Sequence, residues 1–214
     1  MEIHTFELGS FQVSAYVVID DAKAMIVDAP EGAEAIVAFC EGRKLVPELL
    51  VNTHGHADHI AANAAMKQRW PGLKIAIGRD DAPMLASPLR NLSALLGARI
   101  KSPEADRLLA DGDRIEVGSA RFEVLATPGH TPGGISLYAA DGPGGRGIVF
   151  TGDALFAGGI GRTDFPGASH KTLLESLRNR LLTLPPDTLV YPGHGPASTI
   201  GEEARDNPWI RGAE

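Results

Sequence analysis

Apolar and polar residues alternate along the first third of the chain in a pattern that predicts strands, then helices. MEIHTFELGSFQVSAYVVID enters directly into strand-like alternation. Within it, Phe11–Ile19 is an apolar, β-branched run, and Met25–Val27 is a second one; Asp20-Asp21 between them is a hairpin turn signal. Pro30 opens an Ala-rich segment that Gly42 closes, the proline-first, glycine-last punctuation of a helix. Leu49–Thr53 reads as a buried strand. A second Ala-rich helix begins at Asp58 or His59 and stops at Pro71-Gly72, and Lys74–Ile77 is a further strand.

Residues 80–103 predict short helical pieces broken by Pro83, Pro88 and Pro103 and wrapped over the surface. Arg114–Thr127 reads as a β-hairpin around Gly118-Ser119. Ile135–Ala139 and Gly147–Thr151 are strands joined by the glycine-rich turn Asp141–Gly147. Leu173, Leu174, Leu177, Leu181 and Leu182 fall at helical spacing, which predicts an amphipathic helix over 170–183. Leu189–Tyr191 is a strand, and Thr199-Ile200-Gly201-Glu202 has the form of a capping box that starts a short helix. Strands outnumber helices and only some are joined by helical crossovers. That pattern fits mixed sheets with helices covering the outside. No linker or repeat divides the chain, so one domain over residues 1–214 is expected.

Composition narrows the function classes. In 214 residues the hydrophobic content is 43% and the charged content 22%, enough for one sizeable core in a soluble protein. The net charge of -7, with no Lys/Arg-rich run, argues against a nucleic-acid or anionic-membrane partner. Cys40 is the only cysteine, so neither an intrachain disulfide nor a thiolate metal site is possible; beside Ala38 and Phe39 it reads as a small core residue. No signal peptide and no membrane-length apolar run is present, and the expected compartment is the cytoplasm.

The chemistry is concentrated in Thr53-His54-Gly55-His56-Ala57-Asp58-His59, where three of the seven histidines lie within six residues beside a carboxylate. Imidazole and carboxylate are the ligands of borderline divalent ions such as zinc. His54 and His56 would occupy the turn leaving a strand, with Gly55 allowing a tight bend, and Asp58 and His59 the start of the next helix. One loop could thus offer two ligands to one metal and two to another. Further ligands are then needed, and three more apolar strands end in a glycine followed by a ligand-type residue: His130 after FEVLAT, Asp153 after GIVF and His194 after TLVY. Taken singly each would read as a structural group; together with the 54–59 cluster they predict a shared site at one edge of the sheets. His4 and His170 lack that context. They read as a strand residue and as the first turn of a helix.

The succession THGHADH, PGHTPGG, FTGD and YPGHG resembles the metallo-β-lactamase superfamily, in order and along essentially the whole chain. The resemblance implies an α/β fold of the αββα type, a four-layer sandwich of two mixed sheets flanked by helices, with a two-metal site between them. It also implies that His54, His56 and His130 hold one metal, Asp58, His59 and His194 a second, and that Asp153 bridges them. Two cations about 3.5–4 Å apart share a water and lower its pKa from 15.7 to about 7, which makes hydroxide available at neutral pH. One of them can also stabilise an oxyanion, and Asp58 could accept a proton from the bridging water. No Ser–His–Asp pairing is visible.

Two further stretches, Gly158-Gly159-Ile160-Gly161-Arg162-Thr163-Asp164-Phe165-Pro166 and the ending Gly193-His194-Gly195-Pro196 with Asn207-Pro208-Trp209, resemble the short members of the glyoxalase II-like branch. That implies hydrolysis of S-lactoylglutathione-like thioesters. Full-length glyoxalase II carries a C-terminal helical domain that holds glutathione, whereas this chain stops about 20 residues after His194. A glutathione-derived substrate is therefore expected less firmly than thioester chemistry. The main rival is a mononuclear iron persulfide dioxygenase with a similar Gly-Arg-Thr-Asp-Phe stretch; a lactonase of the same fold is nearer. A nuclease, or a scaffold that only binds, fits the acidic charge and the full ligand set less well. Arg162 could meet a substrate carboxylate or pair with Asp164 to brace its loop, the brace being favoured. Zinc is the expected metal, with iron and manganese open, as is the oligomeric state.

Overall fold

The computed structural model describes residues 1–212 of the chain. Strands β1 (Glu2–Leu8), β2 (Val13–Asp20) and β3 (Lys23–Val27) form an antiparallel meander, to which β4 (Leu49–Asn52), β5 (Lys74–Gly78) and β6 (Arg107–Leu109) add in parallel. The second sheet opens with the antiparallel strands β7 (Arg114–Val117), β8 (Ala120–Ala126), β9 (Ile135–Ala139) and β10 (Ile148–Gly152). A two-stranded hairpin, β11 (Leu155–Phe156) and β12 (Gly159–Ile160), follows. The sheet is completed by β13 (Leu189–Pro192), parallel to β10, and β14 (Ser198–Thr199), antiparallel to β13. Each six-stranded sheet is therefore mixed.

Strand alternation explains why there are four layers. On β2, Tyr16 and Val18 face inward with Met25, Val27, Val51 and Leu109, and meet Phe122, Val124, Leu137 and Phe150 of the second sheet. The intervening Ala15, Val17 and Ile19 face outward, where α1 (Glu34–Gly42) and α3 (Asn63–Arg69) cover them with Ile36, Cys40 and Met66. The outer face of the second sheet presents Leu125, Val149 and Val190 to Leu173 and Ile200, carried by α5 (His170–Ser176) and α6 (Ile200–Asp206). The central strands of both sheets are thus buried on both faces, while β1, β7 and β8 keep polar side chains in solvent. Runs buried on two sides read as continuous hydrophobic stretches, as β2 does. The result is the expected αββα sandwich. Three short helices, α2 (Ala57–Ile60), α4 (Ala82–Leu85) and α7 (Pro208–Arg211), complete it.

Several boundaries differ from the sequence expectation for identifiable reasons. The first helix starts at Glu34, not Pro30, because Gly32 in the intervening turn sits at φ +84°, outside helical space. The helix expected from Asp58 to Trp70 is two helices. Its break follows from His59, whose carbonyl accepts from the Ala29 N–H at 2.9 Å and from Asn52 Nδ2 at 3.2 Å, while Ala62 N–H turns to the Ala29 carbonyl at 2.8 Å. The loop after β3 thus takes over bonds that a continuous helix would have made internally. The helix expected over 170–183 widens at Leu177–Leu181, where the Leu182 N–H reaches the Leu177 carbonyl five residues back. Pro83 lies inside the first turn of α4, where its missing N–H costs nothing, so it starts a helix there and does not break one. Strands β6, β11, β12 and β14 had no clear sequence signal.

Candidate metal centre

The loops leaving β4, β8, β10 and β13 open on one edge of the sandwich and bring His54, His56, Asp58, His59, His130, Asp153 and His194 together. Three overlapping sets, His54/His56/His130, His54/His59/Asp153 and Asp58/His59/His194, each have their donor atoms within 4.8 Å of one another. His56 Nδ1 and His130 Nε2 are 2.9 Å apart, and His59 Nε2 lies 3.4 Å from His194 Nε2. Asp153 sits between the sets: its Oδ2 is 3.5 Å from both His130 Nε2 and His194 Nε2, and its Oδ1 is 3.3 Å from His59 Nε2. Asp58 Oδ2 stands 3.7 Å from both His59 Nε2 and His194 Nε2. Donors about 2.0–2.1 Å from a tetrahedral ion stand roughly 3.3 Å apart, which is the spacing seen.

The hydrogen bonds behind these side chains turn their lone pairs inward. A carbonyl or carboxylate can only accept, so His130 Nδ1–H donates to the Arg162 carbonyl (2.8 Å), His59 Nδ1–H to Asp28 Oδ2 (2.9 Å) and His194 Nδ1–H to the Phe11 carbonyl (3.0 Å). Each thereby aims Nε2 at the cluster. His54 Nε2 and Asp153 Oδ1 are buried with no hydrogen-bond partner. Orphaned polar atoms of this kind cost about 1–3 kcal/mol each. Buried nitrogens and carboxylate oxygens that converge at ligand spacing, two of them otherwise unpaired, fit a divalent-cation pair.

Two buried carboxylates that the sequence reading missed hold the loops in place. Asp28, at φ +60° just after β3, accepts from the Thr53 N–H and the Thr53 hydroxyl, both at 2.8 Å, as well as from His59. Asp81 accepts from Gly55 N–H (2.9 Å) through one oxygen and Gly133 N–H (2.7 Å) through the other, tying the 53–59 loop to the 127–134 loop. Gly55 is required for closeness more than for a bend, since a Cβ there would lie 2.6 Å from Met84 Cβ. At Gly193 a Cβ would lie 2.1 Å from Asp153 Oδ1. A single Asp in VDAP or RDDAP carries no local signal that sets it apart from a turn or cap residue.

Electrostatics divide the imidazoles into two groups. Burial, then the neighbouring His59, holds His54 well below the ordinary imidazole range, and burial with His130 brings His56 down to about 3. Both are neutral donors at physiological pH. For His59 burial again disfavours the charge, but Asp153, Asp58 and Asp28 outweigh it and raise the pKa well above its usual value. His194 is raised against its own burial by Asp153, and Asp153 is held well below the carboxylate range, despite burial, by His59 and His194. Cations entering the cluster would take the place of the His59 and His194 protons.

The sequence profile of the metallo-beta-lactamase superfamily matches residues 8–194. The chain belongs to the metallo-β-lactamase superfamily. Its relatives there include the probable metallo-hydrolase YqgX of Bacillus subtilis, 35% identical over 99% of both chains. Hydroxyacylglutathione hydrolase GloC of Haemophilus influenzae is 36% identical over 98% of both. The mitochondrial persulfide dioxygenase ETHE1 of Homo sapiens is 34% identical, over 95% of this chain and 70% of its own. Among solved structures, the BLEG-1 B3 metallo-beta-lactamase superposes with a TM-score of 0.91 at 36% identity, covering 98% of this chain and 99% of its own. TTHA1623, solved in a di-iron-bound form, gives 0.85 at 38% identity, covering 96% and 99%.

The candidate site lies at the floor of an open cleft of about 420 Å³. His56, Asp58, His130, Asp153 and His194 form the polar floor, and the walls are largely apolar. Loop 155–165 supplies one wall and is itself pinned from behind. Buried Glu203 on α6 accepts from the Gly158 N–H at 2.9 Å, and Asn207 Nδ2 donates to the Gly159 carbonyl at 3.0 Å. Arg162 forms a two-pronged pair with Asp164 at 3.0 and 2.8 Å and lies 4.3 Å above the Phe165 ring, so it braces this loop. Among the described residues no helix is long and apolar enough to cross a membrane.

Proposed function

We propose that the protein is a thioesterase of the glyoxalase II type, a metal-dependent hydrolase of small-molecule thioesters such as S-lactoylglutathione, acting in the cytoplasm. The observation that carries this reading is the complete second ligand set, Asp58, His59 and His194, packed against the first across Asp153. The near full-length likeness to GloC supports it. In this reading His54, His56 and His130 hold one cation, Asp58, His59 and His194 the other, and Asp153 touches both; zinc is the proposed metal, with iron or manganese as alternatives. Divalent cations held there would supply a water of lowered pKa and polarisation of a carbonyl oxygen.

The chain's own groups do the rest. On this reading the apolar walls flank the thioester, and Asp58, a ligand-type carboxylate partly exposed to the cleft, accepts the proton of the attacking water. The water oxygen bonds to the carbonyl carbon, the C–S bond breaks, and sulfur leaves with the bonding electrons and takes up a proton. Asp28 and Thr53 keep His59 oriented throughout. The test is thiol release from a panel of thioesters, lactones, β-lactams and glutathione persulfide, on protein of measured metal content. Thioester turnover with two metals per chain is expected; two bound metals with no thioester turnover would overturn it. The second reading, a persulfide dioxygenase, is favoured by the 34% identity to the human enzyme of that name. One iron per chain with oxygen uptake on glutathione persulfide would establish it instead.

A further inference from the structure

We propose that the group this cleft receives beside the scissile bond is an uncharged hydrocarbon chain. On the thioesterase reading above, the substrates are then apolar acyl or alkyl thioesters in preference to thioesters of glutathione. Phe11, Leu95 and Leu96 line the cleft while 51%, 66% and 61% exposed, and they are three of the seven large hydrophobic side chains that stand exposed among the described residues. Phe156, Ile160 and Phe165 face them. Exposed apolar side chains that gather around one polar floor mark a binding surface, whereas scattered ones would not.

The Leu95–Leu96 shelf is held rigidly over the floor. Leu92 sits in the left-handed region at φ +68°, a conformation that costs a leucine free energy and persists only where its surroundings impose it. Those surroundings are the fully buried Asn91 and Ser93. Asn91 Nδ2 donates to the Ile100 carbonyl at 2.9 Å, its Oδ1 accepts from the Ser93 hydroxyl at 2.7 Å, and its carbonyl accepts from the Ala57 N–H at 2.9 Å. The apolar shelf is therefore tied directly to the loop that carries His54 to His59.

Glutathione brings two carboxylates, and a site for it must offer cations. Arg162 is the one lysine or arginine in the lining, and both prongs of its guanidinium are engaged by Asp164 while its face covers Phe165. The two carboxylates of a glutathione thioester meet no unengaged lysine or arginine among these lining side chains, whereas a hydrocarbon chain gains about fourfold in binding for each methylene the walls cover.

The metal-loaded protein is assayed for thiol release on N-acetylcysteamine thioesters from acetyl to decanoyl, on acetyl thioesters of the matching alkanethiols, and on S-lactoylglutathione. The expected result is a kcat/KM that climbs about fourfold per methylene in one series, which also shows on which side of the carbonyl the chain lies. The slope flattens in the Leu95→Asn/Leu96→Asn double variant at unchanged metal content. Calorimetry with two inert thioethers, S-octyl-N-acetylcysteamine and S-octylglutathione, is expected to show the neutral compound binding at least as tightly. Turnover of S-lactoylglutathione above every neutral thioester, with flat chain-length series and tighter S-octylglutathione binding, would overturn this inference and leave the thioesterase reading standing. No thioester turnover, with octyl thioether binding that weakens in the double variant, would sink the thioesterase reading and uphold the cleft assignment.

Discussion

Replacing Asp28 by Asn removes no volume but takes away an acceptor that three donors share. Asp28 Oδ2 accepts from both the Thr53 hydroxyl and His59 Nδ1–H, and Oδ1 from the Thr53 N–H. An amide can keep only one oxygen in this position. If that oxygen faces the Thr53 N–H, the NH₂ group points at His59 Nδ1 and forces the tautomer with its proton on Nε2, the nitrogen aimed at Asp58, Asp153 and His194. If the amide flips, its NH₂ opposes the Thr53 N–H, leaving two buried donors unpaired at about 1–3 kcal/mol each. Loss of an outer partner to a ligating histidine typically costs 10–100-fold in metal affinity, about 1.4–2.7 kcal/mol. The expectation for Asp28→Asn is therefore a drop of that size at the Asp58/His59/His194 site, with a smaller loss at the His54/His56/His130 site, which the same Thr53 hydroxyl touches through His54 Nδ1 at 3.2 Å. Competition with a chromophoric chelator reads both sites separately. Two tight sites in the variant, indistinguishable from wild type, would refute the role assigned to Asp28 and the division of ligands together.

Gly193→Ala places a methyl 2.1 Å from Asp153 Oδ1 and 2.9 Å from His59 Cε1; metal retained after gel filtration should fall roughly tenfold or more while circular dichroism stays native. The raised pKa values of His59 and His194 mean that cation binding displaces protons, so affinity should rise with pH through the neutral range. Titration calorimetry in two buffers of different ionisation enthalpy should give different heats, and equal heats would contradict the protonation assigned to that side. Asp20 is held at about 2 by the Met1 amino group and then by Ser119 of the β7–β8 turn. A carboxylate with a lowered folded-state pKa stabilises above its unfolded pKa near 3.8 and loses that contribution as pH falls toward 2. Asp20→Asn should therefore be less stable than wild type to urea near neutral pH, with the gap closing in acid.

The sandwich was legible because strand periodicity leaves a mark on every residue. Alternation on β2, β8 and β10 assigns each side chain to the inner or an outer core, and the leucines over 170–183 announce a covering helix. The seven convergent side chains were legible as well: His54, His56, Asp58 and His59 crowd into one short segment, and His130, Asp153 and His194 each follow an apolar strand and a glycine. Asp28 and Asp81 show no such pattern. Their role depends on bonds to residues 25 and 52 positions away, which only the tertiary arrangement creates. The break between α2 and α3 has the same origin, since nothing local to Ala61-Ala62 disfavours a helix and the competing bonds come from Ala29 and Asn52. The Leu95–Leu96 shelf escaped notice because its leucines, set among broken turns, follow neither helical nor strand spacing.

The proposed thioesterase requires that these seven side chains hold two cations between them. Stepwise zinc addition to chelator-stripped protein, followed by thiol release from a thioester substrate, tests it directly. The account predicts a rate that climbs until about two equivalents per chain are bound and then levels. A plateau at one equivalent, or two bound equivalents with no thiol released, would contradict it.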